Sequence, residues 1–105
     1  MRNNINTDWR HIIESSENLL NMAANSHWED MPLASTQRDK LIRDFFNLYP
    51  VVSGNAEKSQ QRLQDILAID KKIIALTMRA QSDLDGEMNE FRKSANAAQA
   101  YNSCP

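Results

Sequence analysis

The stretch NAEKSQQRLQDILAIDKKIIALTMRAQSDLDGEMNEFRKSANAA, Asn55 to Ala98, decides the fold. Leu63, Ile66, Ile73, Ala80, Leu84, Met88, Phe91 and Ala95 recur at the three-and-four spacing that keeps side chains on one face of a helix. Between Ile66 and Leu76 the stripe widens, because Leu67 and Ile74 flank one side of it and Ile69 and Leu76 the other. At 100° per residue these positions cover an arc of roughly 180°, wide enough to meet two neighbours at once. Asp70 and Thr77 interrupt the centre of the seam, as paired polar groups, as water-facing positions or as register-setting residues.

Working outward, Ser53-Gly54-Asn55 is a turn, with Asn55 suited to cap the long helix and Glu57 placed in its first turn. Upstream, Pro50 ends a second helix that the pattern starts near Trp28. Glu29 and Asp30 there favour the amino-terminal dipole, and Pro32 is tolerated in the first turn. Its apolar face has Trp28 and Met31 at one end and a dense cluster of Leu41, Ile42, Phe45, Phe46, Leu48 and Tyr49 at the other. A first helix, capped by Thr7 or Asp8, turns Trp9, Ile12, Ile13, Leu19, Leu20 and Ala23 or Ala24 inward and loosens at Asn25-Ser26. Both tryptophans read most simply as core aromatics.

The expected fold is therefore all-α: a single domain over 1–105, a small antiparallel bundle with helices at about 8–25, 28–49 and 55–98 and a tail at 99–105. At 1.5 Å per residue the first two helices reach roughly 30 Å and the third about 65 Å, so the third must overhang. Three outcomes are open for the excess apolar surface around Ala80, Leu84, Met88 and Phe91. The chain can break near Asp85-Gly86 and fold back as a fourth helix that covers the seam. Two copies can pair their overhangs, giving a weak homodimer or a purely structural coiled-coil module. Or another protein can lay an amphipathic helix into the groove.

Composition narrows the function classes. The formal charge is −2 with both signs interspersed, which leaves no basic stripe for direct nucleic-acid binding. No stretch approaches the roughly 18 apolar residues of a membrane span, the amino terminus lacks an apolar signal core, and the single Cys104 suits a reducing cytosol. His11 with Glu14, and His27 beside Glu29 and Asp30, lack the spacing of a metal site. No phosphate loop, nucleophile elbow or Cys-His pairing is present, so neither an enzyme nor a cofactor is expected.

The residues also carry a family resemblance. Leu19-Leu20, Ala23, the Trp28-Glu29-Asp30-Met31 step and Arg38 with Leu41-Ile42 resemble the amino-terminal half of the FliT-type flagellar export chaperones. Ile66-Leu67, Ile69-Asp70, Ile73 and Leu76 are similar to that family's third helix, and Ala100-Tyr101 to the alanine-tyrosine pair after it. The resemblance implies a helical chaperone of the bacterial cytosol. It would hold the carboxy-terminal segment of the filament-capping protein, prevent premature assembly and deliver it to the export apparatus. Some members also bind the flagellar master transcription regulator. Carried over by position, the implied partner-binding residues are Ile66, Ile69, Asp70, Ile73, Leu76, Arg79, Ala80 and Leu84. Family members often have a further helix that covers this site. Here the sequence stops at Pro105, so a cover would have to be very short or built from residues after Gly86.

Overall fold

In the computed structural model, the backbone of residues 4–103 and the side chains of residues 4–96 are described. The described residues form three helices: α1 (Ile5–Ala24), α2 (Met31–Leu48) and α3 (Ala56–Ser103). The all-α bundle expected from the sequence is the observed fold. α1 packs against both α2 and α3, whereas the α2 and α3 backbones stay apart and meet only through side chains. Tyr49 reaches back to Asp8, so α2 runs antiparallel to α1. Ile12 packs near Ile66, and Leu19 shares a groove with Ile73, so α3 runs parallel to α1.

Each helix boundary has a local cause. α1 starts three residues before Asp8, because Asn4 is the cap: its side chain accepts from the Asn6 and Thr7 N–H groups at 2.9 and 3.4 Å. That leaves Asp8 free inside the first turn to accept the Tyr49 hydroxyl at 2.7 Å. At the other end, His27 N–H reaches Met22 O at 2.8 Å and Ser26 N–H reaches Ala23 O at 3.3 Å, with Ser26 at φ 59°. This is the paired bonding of a Schellman cap, with serine in the left-handed position that glycine usually takes.

α2 begins at Met31 and not at Trp28, contrary to the apolar pattern. Pro32 explains the shift: its ring would collide with the carbonyl four residues back, at Trp28, so the helix cannot extend that far. Trp28 is thereby left in the connection, outside the helix. α2 ends at Leu48 ahead of Pro50, and Tyr49 takes a non-helical φ of −122° and ψ of 74°, as the residue before proline must. Asn55 differs from its expected role. Its carbonyl accepts the Ser59 N–H, but its side chain turns back to accept from Val52 N–H and donate to Pro50 O, tying the turn instead of capping α3.

α3 spans 48 residues without interruption, about 72 Å at 1.5 Å per residue, and the molecule measures 80 Å along its longest axis. Gly86 lies in the middle of unbroken helix, so the fold-back at Asp85-Gly86 does not occur, and the helix continues past residue 98 to Ser103. The Ala100-Tyr101 side chains and Cys104 lie outside the described residues.

The core sits at the end of the bundle where α1 and α3 begin. Ile12, Phe45 and Ile66 are its buried centre, one from each helix, with Trp9, Ile13, Ile42, Phe46 and Tyr49 packed around them. Phe45 is the hub. Its ring centroid lies 5.1 Å from Trp9, 5.2 Å from Phe46 and 4.9 Å from Tyr49, all tilted or edge-on as aromatic quadrupoles prefer. Arg62 of α3 places its guanidinium 5.9 Å from the Trp9 ring and 5.7 Å from Phe45, extending the cluster by cation–π contact.

Desolvation, then the hydrogen bond to Asp8 and its negative charge, raise the Tyr49 pKa above the ordinary tyrosine value. The folded state therefore favours the neutral phenol, and that preference is present below about pH 10 and lost as pH rises through the raised value. The urea midpoint should accordingly fall above about pH 10, and fall less steeply in Tyr49→Phe; equal slopes in the two proteins would disprove the linkage.

Candidate functional site: a groove between α2 and the middle of α3

Beyond the core, toward the α1–α2 connection, the bundle opens. A groove of about 480 Å³ is walled by Leu19 of α1, by Trp28, Met31, Pro32, Ser35 and Arg38, and by Asp70, Ile73, Ile74 and Thr77 of α3. Two smaller hollows flank Trp28: one bounded by Thr77, Ala80, Gln81 and Leu84, the other by Ala23, Ala24, Leu76, Arg79 and Asp83. Trp28 thus stands at the junction of all three, set there by the Schellman cap before it and Pro32 after it. Its expected role as a core aromatic is not the observed one; it is half-buried and forms groove wall.

One ion pair divides groove from core. Arg38, only 9% exposed, donates from Nη1 to Asp70 Oδ1 at 2.5 Å. Arg38 lies seven residues before Phe45 on α2, and Asp70 four residues after Ile66 on α3, so each is stacked over a core residue on the same helical face. This bond is also the one side-chain hydrogen bond between α2 and α3 among the described residues. Asp70 is therefore a paired polar group. Thr77, the other interruption of the seam, donates its hydroxyl to the Ile73 carbonyl at 2.9 Å, within its own helix.

The residues carried over from the family pattern separate into four placements. Asp70 and Ile73 line the main groove, while Leu76, Arg79, Ala80 and Leu84 border the hollows beside Trp28. Ile69 is half-buried and lines none of these hollows. Ile66 is 6% exposed and sits in the core cluster with Ile12 and Phe45, so it has no surface to offer a partner. Sequence reading missed Ile74, Met31, Ser35 and Trp28 as groove residues. Ile74 flanks the stripe, and its exposure of 56% follows from α2 lying too far off to cover that flank.

Past the groove α3 is alone. Every residue from Gln81 to Asn96 is exposed, including Leu84, Met88 and Phe91, the last at 69%. These three fall at intervals of four and three and form one apolar line continuous with the hollow that ends at Leu84. Among the described residues, no three His, Cys, Asp or Glu side chains come together as a metal site, and no helix is long and apolar enough to cross a membrane.

Breaking the divide should cost more than erasing it. Arg38→Met leaves Asp70, whose side chain is 29% exposed, without its cation; the expected loss is about 3 kcal/mol, the lower end for a broken buried pair. The double variant Arg38→Met/Asp70→Leu should return to within about 1 kcal/mol of wild type in urea denaturation. A double variant no more stable than the single one would show that the pair does more than neutralise itself.

No curated protein and no solved structure matches the chain. A family model does: that described as flagellar protein FliT, over residues 6–103, which takes in all three helices, the core and the groove. The chain, an all-α bundle with an open groove, belongs to the FliT family of flagellar proteins.

Proposed function

We propose that this chaperone holds the carboxy-terminal segment of the filament-capping protein in the bacterial cytosol. In this reading it prevents premature assembly of that protein and delivers it to the export apparatus. The segment docks as an amphipathic helix along α3, its apolar face in the groove and its far end along the overhang. The observation that carries this reading is the continuity of uncovered apolar surface from Ile73 and Ile74 through Ala80 and Leu84 to Phe91. Asp70 and Arg79 serve as polar contacts at its margin, and Leu76 supports the face beside Trp28. Ile66 is left out of the proposed site because the core uses it. Modulation of the flagellar master transcription regulator belongs to the same reading, since one groove can serve two clients in turn.

The exposed line Leu84, Met88 and Phe91 favours a second reading, in which two copies pair their overhangs and no foreign client exists. Dilution separates the two. Sedimentation over a hundredfold concentration range should give a monomer, or a dimer that dissociates while helicity is kept; a dimer that persists, or unfolds as it dissociates, supports the structural module.

Ile74→Asp places a charge on a residue the fold leaves exposed, so helicity and thermal midpoint should stay near wild type while capture of the cap-protein segment falls at least about tenfold. Undiminished capture would remove the groove from the function.

A further inference from the structure

The apolar line of Leu84, Met88 and Phe91 on the overhang of α3 is bordered by charge of one sign. Between Arg79 and Arg92 the helix carries Asp83, Asp85, Glu87 and Glu90 and no cation, and among the described residues none of the four has an ion-pair partner. At 100° per residue, Asp85 falls on one side of the apolar line and Glu87 on the other, so a helix laid along the line meets a carboxylate at each margin. Nearer the core the situation differs, because Arg38 already neutralises Asp70 at the groove. The charge requirement is thus confined to the overhang.

That charge discriminates between occupants. A second copy lying parallel would set each carboxylate beside its own counterpart. In an antiparallel copy with Leu84 opposite Phe91, Arg92 can reach the copy's Asp85 along one margin, but the other margin brings the two Glu87 side chains together. With Arg92 and Lys93 counted, each overhang from Gln81 to Asn96 still carries a net charge of −2, so the two repel. A foreign helix with cations on both margins meets no like charge from Asp83 to Glu90. Resting on the client-docking reading, we propose that the overhang selects by charge: it takes the part of the client helix that carries Lys or Arg on both sides of its apolar anchors, and rejects a helix with acidic margins. The apolar line supplies contact area; the exposed carboxylates, each contributing little to affinity, set the choice of partner and the rate of encounter.

The test uses the full chain and fluorescent helical peptides of about 21 residues, three heptads with Leu and Ala anchors at the a and d positions. Lys, Gln or Glu occupies the e and g positions of either the first or the last heptad, so that one of the two sets lies along the overhang whichever way the peptide runs. Binding is followed by anisotropy. In one set, at about 50 mM salt, the Lys peptide should bind about tenfold tighter than the Glu peptide, with Gln between them, and the ratio should shrink to about twofold at about 1 M salt. Asp85→Asn/Glu87→Gln, at two exposed positions, should lower the low-salt ratio to about threefold or less, and Asp85→Lys/Glu87→Lys should invert it. Glu14→Gln/Glu17→Gln removes the same charge from exposed positions of α1 and should leave the ratio unchanged.

Binding of no peptide at all would overturn the docking reading, and this one with it. Equal binding of the three, or a preference for Glu, would overturn the charge selection and leave docking intact. A Lys preference that survives both changes at Asp85 and Glu87, or that falls as much in the α1 variant, would report net charge alone and overturn the role of the overhang. A dimer of the chain that the Lys peptide cannot dissociate would assign the apolar line to a second copy and overturn the proposal as well.

Discussion

A helix of 48 residues cannot be sheltered by companions of 20 and 18, and that inequality governs the molecule. Most helical stability comes from burying one face against neighbours, so the first part of α3 is held by the core and the rest stands on helix propensity and side-chain neighbours alone. The core answers by being concentrated. Ile12, Phe45 and Ile66 lock one residue of each helix together at a single end, and the aromatic ring contacts of Phe45 extend that lock to Trp9, Phe46 and Tyr49. Stability is thus gathered at one end and exposed apolar surface at the other.

The Arg38–Asp70 pair marks the border between these two regions. On the core side, Ile12, Phe45 and Ile66 pack together and the Tyr49 hydroxyl is bonded to Asp8. On the groove side, apolar walls meet the ion pair itself. A buried pair of this kind is weak evidence for stability, since desolvation offsets most of the attraction. Its use lies in fixing where α2 stands relative to α3, two helices whose backbones do not touch.

Much of this was legible in the sequence because it is written in spacing. Three helices, the turn at Ser53–Asn55, the stop at Pro50 and the overhang of α3 all follow from the period of apolar residues and from proline. The start of α2 is not legible in the pattern, because Trp28 fits the helical period while the carbonyl clash of Pro32 acts on backbone and leaves no trace in hydrophobicity. The cap of α1 was misplaced because Asn4, Thr7 and Asp8 are all good capping residues, and only the tertiary bond to Tyr49 shows where Asp8 belongs. Within the groove, Ile66 and Ile73 were indistinguishable by pattern: they are two turns apart on one face, yet Phe45 lies against the first and open space beside the second. Arg38 and Asp70 lie 32 positions apart, and no local signal joins them.

Every side chain from Gln81 to Asn96 is exposed, so this segment adds nothing to the buried core. Changes to its side chains therefore escape the filter that folding imposes on Phe45 or Ile12, apart from their small effects on helix propensity. Leu84, Met88 and Phe91 can thus be rewritten at little cost to the fold, while Ile12, Phe45 and Ile66 cannot.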